Sequence, residues 1–213
     1  VDTLETFIAS GRDSKDPSVV SAKNALAKIY LMTRDLVKAE ALTDEVLSDS
    51  PESVDAHYYR GQVLLLKGNG NEAVSSFRTV LREKPRLTEA RLALARAHMM
   101  NNEPELAGDA LQSGLKIMPD SRELLHALAS FYIAKKGYRA AGNQLEKIVK
   151  NNPNDIDARG ELGDILFALE DREGAEKTYE KIRQDFPDDP AGYLRLGRLY
   201  TVLKPVSYTH LRA

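Results

Sequence analysis

Six prolines stand 34 residues apart: Pro17, Pro51, Pro85, Pro119, Pro153 and Pro187. A fixed period of this length means that one supersecondary unit is repeated, and that neighbouring units must stack to bury what each leaves exposed. Other positions keep the same beat. Ten residues after each proline come Ala27, Gly61, Ala95, Ala129, Gly163 and Gly197, all small. Twenty-two after come Ala39, Ala73, Ala107, Ala141 and Ala175. Nine after come Leu26, Leu94, Leu128, Leu162 and Leu196, with Arg60 the exception. Twenty-six after come Thr43, Phe77, Leu111, Leu145 and Tyr179.

Within each unit, large apolar residues recur at helical three- and four-residue spacings. Ser18, Ser53, Thr88, Ser121, Asp155 and Asp189 follow the prolines and offer N-cap acceptors. Pro190 falls at a first helical position, where its missing N–H costs nothing. Lys67-Gly68-Asn69-Gly70, Asn101-Asn102-Glu103-Pro104 and Lys136-Gly137-Tyr138 read as breaks between two helices. Each unit is therefore helix, short turn, helix, turn with proline, and no stretch reads as a strand. Two antiparallel helices approach to about 8–9 Å only where the contact residues lack bulk. The small residues of the first helix and the alanine of the second meet that need. The expected fold class is all-α, built of antiparallel helix pairs.

Thirty Lys and Arg balance 32 Asp and Glu, a net charge of −2, which argues against a nucleic-acid binder. There is no cysteine, so disulfides, thiolate metal sites and thiol nucleophiles are excluded. The longest apolar run, Val63-Leu64-Leu65-Leu66, is far below the roughly 18–20 residues of a membrane span, so no direct membrane insertion is expected.

The 34-residue unit, the small and alanine pair, the Leu162-Gly163 and Leu196-Gly197 steps and the closing proline resemble the tetratricopeptide repeat over about residues 1–204. The resemblance implies a right-handed superhelical α-solenoid. The family favours a large aromatic near the start of the first helix, where this chain has Lys23, His57, Arg91, Leu125, Arg159 and Tyr193; that departure suggests a divergent bacterial-type array. In this register there are full units at 20–53, 54–87, 88–121, 122–155 and 156–189. A half-unit at 1–19 would hold a second helix near Asp2–Ser14, and a half-unit at 190–204 a first helix near Pro190–Leu203. Half-units at both ends, and a start without Met, read as a piece of a longer array. Residues 205–213 break the pattern and lie outside the repeat; they resemble a translated adapter, the alternative being a native, frayed terminus.

Candidate chemistry is thin. Gly68-Asn69-Gly70 fits a dinucleotide fingerprint as text, but a helix rather than a strand precedes it, so a turn is expected and no cofactor. Glu123 and His126 have the spacing of a bundle di-iron ligand pair, yet no second copy exists. His57, His98 and His210 are scattered, with His98 read as half-buried packing. Asp55, Glu89, Glu123 and Asp157 recur four residues after prolines, as first-turn carboxylates favoured by the helix dipole or as an acidic rim. No nucleophile elbow, zinc-protease helix or P-loop occurs, so neither catalysis nor a metal site is expected.

What the resemblance implies instead is a groove lined by the first helices, from positions seven, eleven and fourteen residues after each proline. Those include Asn24 and Lys28, Tyr58 and Gln62, Leu92, Arg96 and Met99, His126 and Ser130, and Asp164. Leu31, Leu65, Met99, Ile133 and Phe167 form an apolar row, which either packs internally or meets a partner. The carboxylate clamp of some family members needs lysine where Asn24 and Glu89 stand and asparagine where Lys28 stands, so that mode is not expected. Charge runs from Lys28 and Arg96 toward Asp164 and Glu161, which suggests a partner acidic near the first half. The expected function is a non-catalytic scaffold for a protein or peptide segment. A looser resemblance of residues 77–85 is to arrays of cell-envelope assembly and polysaccharide export. The alternative is a regulatory or assembly module cut from a larger enzyme or membrane-anchored protein. The compartment stays open between cell envelope and cytoplasm.

Overall fold

The helix starts show how the proline beat is turned into structure. In the computed structural model, which describes residues 1–10 and 13–203, Ser53, Ser121 and Asp155 each cap the helix that follows through a side-chain oxygen. Two expected caps differ. Asp16, not Ser18, caps its helix, because a carboxylate one residue before Pro17 reaches the Ser18 amide at 2.8 Å. Leu87 occupies the cap position next to Thr88, so that helix starts without a side-chain cap.

The elements are α1 (Asp2–Ile8), α2 (Pro17–Met32), α3 (Leu36–Asp49), α4 (Val54–Lys67), α5 (Gly70–Glu83), α6 (Thr88–Met100), α7 (Pro104–Ile117), α8 (Arg122–Ala134), α9 (Tyr138–Asn151), α10 (Ile156–Ala168), α11 (Arg172–Asp185) and α12 (Pro190–Leu203). No strand occurs among the described residues. Helix α1 stops well short of the expected Ser14, where Ser10 Oγ donates to the Phe7 carbonyl at 2.6 Å and closes the last turn. The tail reading concerns residues outside those described.

The chain divides into two units, Val1–Pro119 and Asp120–Ala213. Each is a helical-repeat solenoid. In unit 1 the hairpins are α2–α3, α4–α5 and α6–α7; α3 packs on α4 and α5 on α6, while the first helices α2, α4 and α6 lie side by side. In unit 2 the hairpins are α8–α9 and α10–α11; α9 packs on α10, and α12 covers α10 and α11.

The turns inside the hairpins repeat in detail. Arg34, Gly68, Asn102, Lys136 and Glu170, again 34 residues apart, all have positive φ, from 58° to 84°. One residue on, the N–H of Asp35, Asn69, Glu103, Gly137 and Asp171 reaches back to the carbonyl of Tyr30, Leu64, His98, Tyr132 and Leu166. This left-handed cap satisfies carbonyls that the helix end would leave open. Only Gly68 adopts the conformation without steric cost.

Packing inside each hairpin follows size. Gly61 faces Phe77 and Gly163 faces Tyr179, and a Cβ at either glycine would run into the ring. Alanine stands at this register, as Ala27, Ala95 and Ala129, where the second helix carries Thr43, Leu111 and Leu145. Phe77, Leu145 and Thr43 are fully enclosed.

Asp155 also ties α8 to α10. Its carboxylate accepts from Arg122 Nε at 2.5 Å and Nη2 at 3.1 Å while capping Ala158 N. The Arg122 guanidinium holds this carboxyl below the usual range. A depressed folded value means stability that is present above the unfolded-state pKa, about 3.9, and lost as pH falls from there through the lower folded-state value. Asp155→Asn keeps a capping oxygen and removes the charge. It should cost unit 2 about 1 kcal/mol at neutral pH. In thermal melts from neutral to acid, the Tm difference from wild type should close as the carboxyl protonates; a constant difference would count against the ion pair.

Candidate partner-binding groove

A groove of about 600 Å³ runs along the first helices of unit 1, walled by α2 and the first turns of α4. Asn24 forms its floor, with Ser21 and Lys28 on the α2 side and Asp55 and Tyr59 on the α4 side. Asn24 is 7% exposed, its Nδ2 donates to Ser53 Oγ at 3.5 Å, and its Oδ1 is enclosed with no donor. A buried acceptor left unpaired costs about 1–3 kcal/mol, so such an atom stands out. Lys28 is exposed and has no ion-pair partner among the described residues. Lys84 reaches Asp55 at 2.9 Å along the edge of the groove. Burial, and then the Asp55 charge, pushes the Tyr59 phenol up, so it stays a neutral donor at physiological pH.

The other expected lining residues fall differently. Tyr58 turns inward, with its ring edge-on to Phe77 at 6.2 Å between centroids, and Tyr59, one residue on, faces the groove instead. Gln62 and Leu92 are half-buried. Arg96 is exposed, and no ion-pair partner is found for it among the described residues. In the apolar row of unit 1, Leu65 is buried, Leu31 is half-buried and Met99 is 49% exposed.

In unit 2 the expected polar residues are mostly engaged by the next first helix. His126 Nε2 lies 2.9 Å from Glu161 Oε1, while the nearer-in-sequence Glu123 accepts from Ser121 Oγ. Asp164 accepts the Tyr179 hydroxyl at 2.7 Å and lies 3.7 Å from Arg195 Nε. Gly160 leaves the space that the Arg195 guanidinium fills. Ser130 is exposed. Ile133 and Phe167 are half-buried.

The missed residues, Tyr59 and Arg195, share one register with Glu161, which was expected as part of the charge gradient, eight residues after each proline. That register was visible in the period, but the resemblance points one residue earlier. His98 is enclosed rather than half-buried, at 3% exposure, with Nδ1 2.7 Å from Glu103. Gly68 and Gly70 sit in the turn between α4 and α5. Among the described residues no three His, Asp or Glu side chains gather as metal ligands, and no helix is long and apolar enough to cross a membrane.

Comparison with known proteins gives a family match. Sequence profiles of the tetratricopeptide repeat match residues 64–131 and 132–199, and a second such profile matches 39–86. The solved structure of MamA protein superposes with a TM-score of 0.66 at 21% identity, covering 79% of this chain and 92% of that one. YrrB, described as a TPR protein with an unusual peptide-binding site, superposes at 0.64 with 20% identity, covering 91% and 97%. PilF of Pseudomonas aeruginosa gives 0.67 at 20% identity, covering 90% and 87%. A DnaJ homolog subfamily C member 7 homolog of Schizosaccharomyces pombe is 26% identical over 76 residues, which are 36% of this chain and 16% of that relative.

Proposed function

The chain belongs to the tetratricopeptide repeat family, whose members are generally non-catalytic protein–protein interaction scaffolds, and from that premise we propose that unit 1 holds an extended, acidic segment of a partner protein in the groove between α2 and α4. The observation that carries this reading is the open groove itself, whose wall holds Lys28 exposed and without an ion pair among the described residues. Lys28 at the wall, and Arg96 at the same register two first helices along, favour carboxylates on that segment. YrrB, with a similar fold, is described as binding peptide, which supports the reading by analogy.

The test is selection of extended peptides from a random display library on the intact chain. Winners should be rich in Asp and Glu. Lys28→Glu, an exposed change that reverses the charge on the wall, should weaken them about tenfold or more with an unchanged melting curve. Lys28→Ala and Arg96→Ala should weaken them by an amount that shrinks as salt rises. Winners that bind Lys28→Glu as tightly as wild type would remove the proposal.

A further inference from the structure

The repeat supplies its own control for buried charge. Lys23, Arg91 and Arg159 share one register, and each is at least nine-tenths buried. Lys23 reaches Glu45 on the second helix of its hairpin at 3.0 Å, and Arg159 reaches Asp185 on its own at 2.6 Å. For Arg91 the corresponding positions on α7 are Ser113 and Ile117, and neither is an acid. Its Nη2 donates to the Pro85 carbonyl at 3.3 Å, its Nε is enclosed without an acceptor, and no carboxylate lies within ion-pair distance among the described residues. A guanidinium taken out of water without a counter-ion is costly unless something anionic completes it.

Arg91 is also not enclosed on all sides. It lines a cleft of about 380 Å³ between α5 and α7, floored by α6. From α5 the cleft receives Arg78 and Arg82; from α7 it receives Ser113 and Asp109. Arg78 is exposed, with no ion pair among the described residues, and its charge is felt by Glu103. Arg82 is shared with Glu83 at 2.9 Å and Glu52 at 3.8 Å. Asp109 is the one acid on the wall, exposed at the rim. The cleft faces away from the groove of unit 1, because Arg91, Leu94 and His98 lie on a different side of α6 from Arg96.

We propose that this cleft binds a tetrahedral oxyanion, phosphate or the phosphoryl group of a phosphorylated side chain, which takes the place that Glu45 and Asp185 fill beside the other two cations. Arg91 supplies the fixed charge and a planar set of donors, Arg78 the mobile one, and the Ser113 hydroxyl a further donor. This does not depend on the groove reading.

The experiment follows the side-chain Nε–H resonances of the intact chain during titration with inorganic phosphate, and in parallel with a phosphoserine peptide and its unphosphorylated twin. Arg91 should shift saturably, and the unphosphorylated peptide should do nothing. Tighter binding of the phosphopeptide than of phosphate places the group on a protein; the reverse makes it a free ion. Arg78→Ala, an exposed change with little folding risk, should weaken binding about tenfold. Asp109→Asn should tighten it. Ser113→Glu, which installs the acid found in the first hairpin, should abolish the phosphate-dependent shift while raising Tm in phosphate-free buffer. Absence of saturation with every probe, or equal binding by wild type and Ser113→Glu, overturns the proposal.

Discussion

Replacing Phe77 by alanine is expected to cost unit 1 about 3–5 kcal/mol, the range for emptying an aromatic site in a closed core. The side chain is 0% exposed, its ring meets Tyr58 edge-on, and it lies over Gly61. The same contact fixes a second effect with a sign that depends on context. Gly61→Ala puts a methyl 2.7 Å from Phe77 Cε1 and Cζ, and the enclosed ring cannot retreat. Overpacking of this kind costs about 1–3 kcal/mol, more than the roughly 1 kcal/mol that alanine gains over glycine inside a helix. In a Phe77→Leu background the clash is gone, and Gly61→Ala should become neutral or stabilising. That pair is the alanine and leucine arrangement already present at Ala95 with Leu111 and at Ala129 with Leu145. Urea unfolding of the four proteins of this cycle should give a coupling of about 1–3 kcal/mol. Additive effects would mean that the size match is incidental.

Gly163→Val is expected to do comparable damage in unit 2. The Cβ would enter the Tyr179 ring, which is 3% exposed and anchored at its far end by the hydrogen bond to Asp164. Neither end of that ring is free to swing, so α10 and α11 must part or the tyrosine must leave. Either outcome costs about 2–4 kcal/mol. The phenol reports which one occurs. Burial, followed by the bond to Asp164, pushes the Tyr179 phenol well above the ordinary tyrosine value. If valine expels the ring, a tyrosine titrating near pH 10 should appear in a UV titration. A stable variant with the wild-type titration would contradict the packing described.

Much of this fold was legible because it is written in short-range, repeated chemistry. The proline period, the three- and four-residue apolar spacing and the small residues at the crossing each follow from helix geometry alone. The pairing of glycine with aromatic was present too, as two separate registers ten and twenty-six residues after the prolines. Joining them needs the knowledge that those registers touch. The groove was read less well for a physical reason. Consecutive residues on a helix are turned by about 100°, so a one-residue choice decides which side chain faces out. Phe77 draws Tyr58 inward, and Tyr59 is left at the groove. The polar contacts of His126 with Glu161 and of Asp164 with Arg195 join different repeats, and no local spacing announces them. Cap choice failed for a simpler reason: Asp16 and Ser18 both offer oxygens, and the backbone selects the one before the proline.

The central claim is that the first-helix face of unit 1 exists to be occupied by another chain. A chemical-shift map of the labelled protein, titrated with an acidic peptide selected on it, tests this most directly. The side-chain amide of Asn24 and the backbone amides around Lys28 and Tyr59 should move together and saturate with one affinity. Shifts confined to the second helices α3 and α5, with the Asn24 amide unmoved at saturation, would contradict it.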